Sequence, residues 1–179
     1  MRRGAALALA LLLGCGDGGD PPVEPGGFIA LTDDFRDFRT WPRVAVGDAA
    51  LAAHPEGPRF AYANRPPPPA GERYPVGTIL VHSIEPGEDL TTWELFAMAK
   101  RGGGYNAAGA VDWEFFHLEL SARGVPVIAA RGLNPTVLRA YVGVGPTSQG
   151  SGCNRCHAAP GTERDDHILS PLFRPGASR

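Results

Sequence analysis

Near the C-terminal end, Cys153-Asn154-Arg155-Cys156-His157 puts two thiols one helical turn apart, with an imidazole directly after the second. Several chemistries use such a set. Both thiols can bond the vinyl groups along one porphyrin edge while the next imidazole meets the iron, so one motif encodes covalent attachment and axial coordination together. A zinc ion takes four N or S ligands. Cys153, Cys156, His157 and His167 would supply that number, with awkward tetrahedral geometry at the adjacent Cys156 and His157. A thioredoxin-like redox pair needs a preceding strand in a βαβ setting. A disulfide between Cys153 and Cys156 closes too small a loop to add much stability.

The N-terminus bears on the choice. In MRRGAALALALLLGCGDGG, Arg2 and Arg3 precede an apolar run from Ala5 to Leu13, followed by Gly14 and Cys15. That is the anatomy of an export signal. The run is about half of the ~20 residues that span a bilayer, so no transmembrane helix is expected in the mature chain. Leu12-Leu13-Gly14-Cys15 resembles the bacterial lipobox, whose cysteine is lipid-modified and becomes the mature N-terminus. The resemblance implies a signal peptide over residues 1–14 and lipidation at Cys15. Anchoring on the periplasmic side of a bacterial membrane would follow, at about 0.8 kcal/mol per buried methylene. Residues 15–27 are rich in Gly and Pro and suit a tether that does not pack.

Cysteine usage then closes. Of three cysteines, an acylated Cys15 leaves only the motif pair, so a disulfide-stapled scaffold is excluded. Export also delivers the chain to the compartment where haem c is attached, and the motif is read as binding one covalent haem c per chain. The formal net charge is −2 with no basic patch, which argues against a nucleic-acid partner.

The elements around the motif follow from periodicity. Residues 28–179 suffice for one domain with its own core. Leu31, Phe35, Phe38 and Trp41 recur at steps of four and three, which predicts a short amphipathic helix ended by Pro42. RFAYAN suits a strand and RPPPPAG a loop. GTILVHSI is the clearest strand, with Leu80, His82 and Ile84 on one face. TTWELFAMAKR fits either a helix capped by Thr91 and Glu94 or a strand with Phe96, Met98 and Lys100 on one face; the strand is preferred. DWEFFHLELS and GVPVIAA read as further strands, and YVGVGPTSQGSG as a glycine-rich approach to the cysteines. The expected fold class is α+β: a single β-rich domain with an antiparallel sheet and a few short helices, one carrying the Cys-x-x-Cys-His motif.

The order of these segments resembles the cytochrome P-460 family: DFRTW, FAYAN, YPVGTILV, MAKRGGGYNAAGAVDWEFF, then CNRCH followed by DDHIL. The resemblance covers roughly Phe35 to Phe173. It implies a β-rich haem-c domain, often a homodimer, with the motif histidine as proximal ligand and an open distal site. There, named members oxidise hydroxylamine, and relatives called cytochromes c′-beta bind small gases. It also implies a redox partner protein. Those enzymes carry a lysine, in the strand after the Gly-Thr, that cross-links to the porphyrin. Here His82 stands at that position, and the single lysine of the chain is Lys100 in the following strand.

Cys153, Cys156 and His157 are thus the expected cofactor-binding residues, with His157 on the iron. His82, Lys100 and Glu114 are the distal candidates. Each has a plain alternative: His82 as a core histidine, Lys100 as a solvated charge at a strand end, Glu114 as a surface carboxylate. Met98 could be a sixth ligand and is more simply a core residue. His117 is expected to be structural, and His54 and His167 have no distinguishing spacing.

Overall fold

The computed structural model describes residues 27–46, 57–135 and 152–177. The signal segment, Cys15, the tether up to residue 26, His54 and most of the glycine-rich approach lie outside them. Among the described residues no helix is long and apolar enough to cross a membrane.

Among the described residues there are six strands: β1 (Arg43–Ala45), β2 (Arg59–Ala63), β3 (Ile79–Ile84), β4 (Glu94–Lys100), β5 (Trp113–Leu120) and β6 (Pro126–Gly132), with aromatic or β-branched residues concentrated in β2, β3 and β5. They form one sheet in sequential order, each neighbouring pair antiparallel. A bulge interrupts the β5–β6 ladder between His117 and Leu118. The ambiguous segment before Lys100 is strand β4, and no capping box forms there. Instead Asp89 caps a short 3-10 turn, Leu90–Thr92, by accepting from the Thr91 amide at 2.9 Å. The remaining helical pieces are short: α1 (Cys153–His157) and 3-10 turns at Glu163–Asp165 and Pro171–Phe173.

The amphipathic helix expected from Leu31 to Trp41 is replaced by two 3-10 turns, Thr32–Phe35 and Phe38–Thr40. The reason is local. Asp37, between the two turns, has φ −104° and ψ 17°, outside the helical region, and the Thr40 hydroxyl donates back to the Asp37 carbonyl at 2.7 Å, a bond that competes with a continuous helix. The step of three from Phe35 to Phe38 also suits 3-10 geometry. Both rings are fully buried, while Leu31 is exposed.

Both faces of the sheet are covered. On one, Tyr62, Ile79, Val81, Leu95, Ala97, Phe116 and Leu118 pack against Phe35 and Phe38. On the other, Ala61, Ala63, Leu80, Met98, Trp113 and Phe115 pack with Tyr74, Ala110, Ile168 and Phe173, and Cys153 lies against this cluster. Alternation along each strand assigns His82, Phe96, Lys100 and His117 to this second face. Fully burying a large apolar side chain contributes roughly 1.5–3 kcal/mol, so both clusters hold the sheet.

Candidate functional site

The motif helix α1 is only five residues long, so its placement comes from side chains rather than from helix propensity. Asn154, the first residue between the cysteines, anchors it. Its Oδ1 accepts from Asn106 Nδ2 at 2.7 Å and from the Ala110 amide at 3.0 Å, and its own amide donates to Asn134 Oδ1 at 3.2 Å. Gly152, just before the helix, has φ +100; a Cβ there would lie 2.8 Å from the Asn134 Oδ1. The approach to the motif therefore requires glycine.

Cys153 and Cys156 are both free thiols, the first half-buried and the second exposed. Burial pushes the Cys153 thiol up to about 11. The His157 ring lies 5.1 Å from the Phe115 ring, centroid to centroid. Its Nδ1 is 2.7 Å from the carbonyl oxygen of His167. A carbonyl only accepts, so Nδ1 carries the proton and the lone pair of the neutral ring is on Nε2. His167 returns the bond, its Nδ1 lying 2.9 Å from the His157 carbonyl. The two histidines thus hold each other reciprocally.

The turn that presents the His167 carbonyl is conformationally costly. Asp166 and His167 both have positive φ, +51° and +65°, and left-handed non-glycine residues each cost roughly 1 kcal/mol or more. Three partners fasten Asp166. Lys100 Nζ lies 2.6 Å from Oδ1, the Tyr74 amide donates to Oδ2 at 2.8 Å, and the Trp113 indole donates to the Asp166 carbonyl at 2.9 Å. Lys100 is 2% exposed, so it is no solvated strand-end charge. Burial pushes its ammonium below the ordinary value, and Asp166 opposes that shift.

His82, Met98, Lys100 and His117 share a face with the cluster that His157 joins through Phe115. Cross-strand register aligns Ala61, His82, Phe96 and His117 in one row. The His82 ring stacks on Phe96 at 6.4 Å, and Phe96 meets His117 at 5.5 Å. One strand separates the two histidines, about 10 Å at the usual strand spacing, too far to share a metal ion. Burial lowers the His117 pKa, which favours its neutral form. Met98 is packed between Leu80 and Phe115 as a core residue.

Glu114 departs from its expected place. It alternates to the opposite face, where Arg131 grips it through Nε and Nη2, both at 2.8 Å, and Arg101 Nη1 lies at 3.2 Å. It is 3% exposed. Neither a distal acid beside the motif nor a surface carboxylate describes it: the period of two sends residue 114 away from residues 113 and 115.

Comparison with protein-family models, with curated proteins and with solved structures gives no significant match. Two unpaired thiols on one side of a helical turn, an imidazole with Nε2 carrying the lone pair, and an adjoining aromatic and aliphatic face fit a covalently held haem. Among the described residues no group of three or more His, Cys, Asp and Glu converges as a metal-ion site. The set Cys153, Cys156, His157 and His167 is not gathered as such a group among them.

Asp166 and Asn154 were not marked by spacing. A signal for the first was present: a lone lysine in an apolar strand needs a buried carboxylate partner. Asn154 had none, because its partners lie 48 and 44 residues away.

Proposed function

We propose that the chain is an exported, lipid-anchored haem-c protein of the cytochrome P-460 type. In it Cys153 and Cys156 attach one haem and His157 is the axial ligand. Its activity would be one-electron redox chemistry on a small nitrogenous molecule, hydroxylamine or nitric oxide, in exchange with a redox partner protein. The observation that carries this reading is the bond from His157 Nδ1–H to the His167 carbonyl. It fixes the tautomer that an iron ligand needs, beside two thiols that have no partner in each other.

When bound, the haem supplies the redox centre and the ligand site. The chain's own residues do the rest. His157 is oriented through Nδ1, Asn154 seats the helix, and Phe115, Met98 and Leu80 exclude water from the face behind it. His82 and His117, which flank Phe96 on that face, are the residues that would offer further imidazole nitrogens there. Cys15 would carry the lipid and place the domain on the periplasmic side.

One observation favours a second, non-enzymatic reading as a gas-binding or electron-transfer cytochrome. The resemblance ties hydroxylamine chemistry to a lysine cross-link, and the amine of Lys100 is held in an ion pair with Asp166 instead.

The test is a pyridine haemochrome spectrum after expression with a cytochrome c maturation system. A bis-thioether signal that disappears in Cys153→Ala/Cys156→Ala is expected; no signal from the parent chain would overturn the haem reading. Ferrous and ferric spectra, with and without hydroxylamine or nitric oxide, then separate the readings. Turnover with hydroxylamine supports the enzyme. Nitric oxide binding without turnover supports gas binding, and a six-coordinate iron that takes neither supports electron transfer.

A further inference from the structure

Lys100 and Asp166 could be no more than a buried ion pair, yet their connections run toward His157. The carboxylate and carbonyl of Asp166 are held from three separate parts of the fold: β4 through Lys100, the loop before β3 through the Tyr74 amide, and β5 through the Trp113 indole. Lys100 is itself held, with Nζ 3.4 Å from the Val111 carbonyl and 4.9 Å from the Trp113 ring centroid. The clamp therefore grips residue 166 at its side chain and at its backbone. Residue 167 follows in the same left-handed conformation, and its carbonyl receives the His157 proton at 2.7 Å.

Building on the haem reading above, we propose that Lys100, Asp166 and Trp113 are positioning residues for the axial imidazole: they lock the 166–167 turn so that the His167 carbonyl holds His157 Nδ1–H. The physical consequence concerns the other nitrogen. A short, fixed bond at Nδ1–H makes Nε2 a stronger electron donor, which favours the ferric state of a bound iron. If the turn loosens, that bond lengthens and the donation falls. Lys100 then has a use that needs no covalent bond to the porphyrin, because it acts through Asp166 and the His167 carbonyl.

The experiment compares holoproteins of the parent chain, Lys100→Met, Trp113→Phe and the double variant Lys100→Met/Asp166→Asn. Three quantities are measured: the haemochrome, the reduction potential, and the ferrous iron–histidine stretching frequency by resonance Raman. Lys100→Met is expected to move the potential to more positive values and lower the stretching frequency. Trp113→Phe keeps the ring, removes the indole donor, and should shift both in the same direction by less. The double variant removes both charges and keeps a residue that tolerates left-handed backbone, so it should recover most of the shift. Should Lys100→Met fail to fold, Trp113→Phe carries the same reading. Variants that lose thermal stability while potential and stretching frequency stay at parent values would overturn the positioning role alone. Absence of a haemochrome from the parent would overturn the haem reading and this inference with it.

Discussion

Replacing Glu114 by Gln tests whether the carboxylate between Trp113 and Phe115 is a structural anion or a proton donor for the site. The substitution keeps size and one acceptor and removes the charge. Arg131 donates to it twice, at 2.8 Å each, and Arg101 once, at 3.2 Å. Removing one partner of a fully buried pair costs about 3–5 kcal/mol. Here the two guanidinium side chains are 28% and 32% exposed, so they can rehydrate, and the loss should be about 2–3 kcal/mol. For a domain of about 150 residues the unfolding entropy is near 0.3 kcal/mol/K, which converts this to a fall in Tm of about 7–10 °C. Thermal denaturation followed by circular dichroism measures it, with the exposed Glu119→Gln on the same strand as control, expected to stay within about 0.5 kcal/mol. The haem spectrum and the pH profile of ligand binding should not change. A Glu114→Gln chain as stable as the control, or one with an altered pH profile, would refute the structural role.

Three further outcomes are expected. Asn154→Ala removes two bonds to the 106–110 segment; it should cost about 1–3 kcal/mol and lower the yield of covalent haem, read as haemochrome absorbance per unit protein. Mass spectrometry of the proteolysed holoprotein should find haem on the peptide of Cys153 and Cys156 alone, since Asp166 holds the Lys100 amine; haem joined also to the Lys100 peptide would contradict the ion pair. Burial first, then the hydrogen bond to Glu85, pushes Tyr62 up to about 12 from an ordinary 10.0. The folded chain then binds more protons than the unfolded chain in that window, so this contribution is complete below about pH 10 and is lost as pH rises toward 12. Alkaline denaturation of Tyr62→Phe should lack that slope, and an unchanged slope would remove Tyr62 as its source.

The strands from Arg59 to Gly132 were legible because their hydrophobic pattern and their turn residues agree, with GTILVHSI the plainest case. Face assignment followed from the period of two for His82, Met98 and Lys100, and the same rule, not applied to Glu114, would have sent it to the opposite face. The Leu31–Trp41 segment misled because steps of four and three are shared by α-helix and by successive 3-10 turns; the Asp37 backbone and the Thr40 back-bond, invisible to periodicity, decided between them. At the site, the motif marked Cys153, Cys156 and His157. Its supports did not show, because Asn154 with Asn106, and Asp166 with Lys100, meet only through tertiary structure across 48 and 66 residues.

The sheet order has a consequence for assembly. Among the described residues each strand pairs with its neighbour in the chain, so contacts within the sheet are local in sequence and it can form early and fast. The motif helix instead reaches back 44 and 48 residues for its Asn154 anchors. The strands' share of the second apolar face can therefore be in place before the segment that carries the two thiols packs against it. Seating of residues 152–177, which brings Cys153, Ile168 and Phe173 onto that face, can then follow as the closing step of assembly.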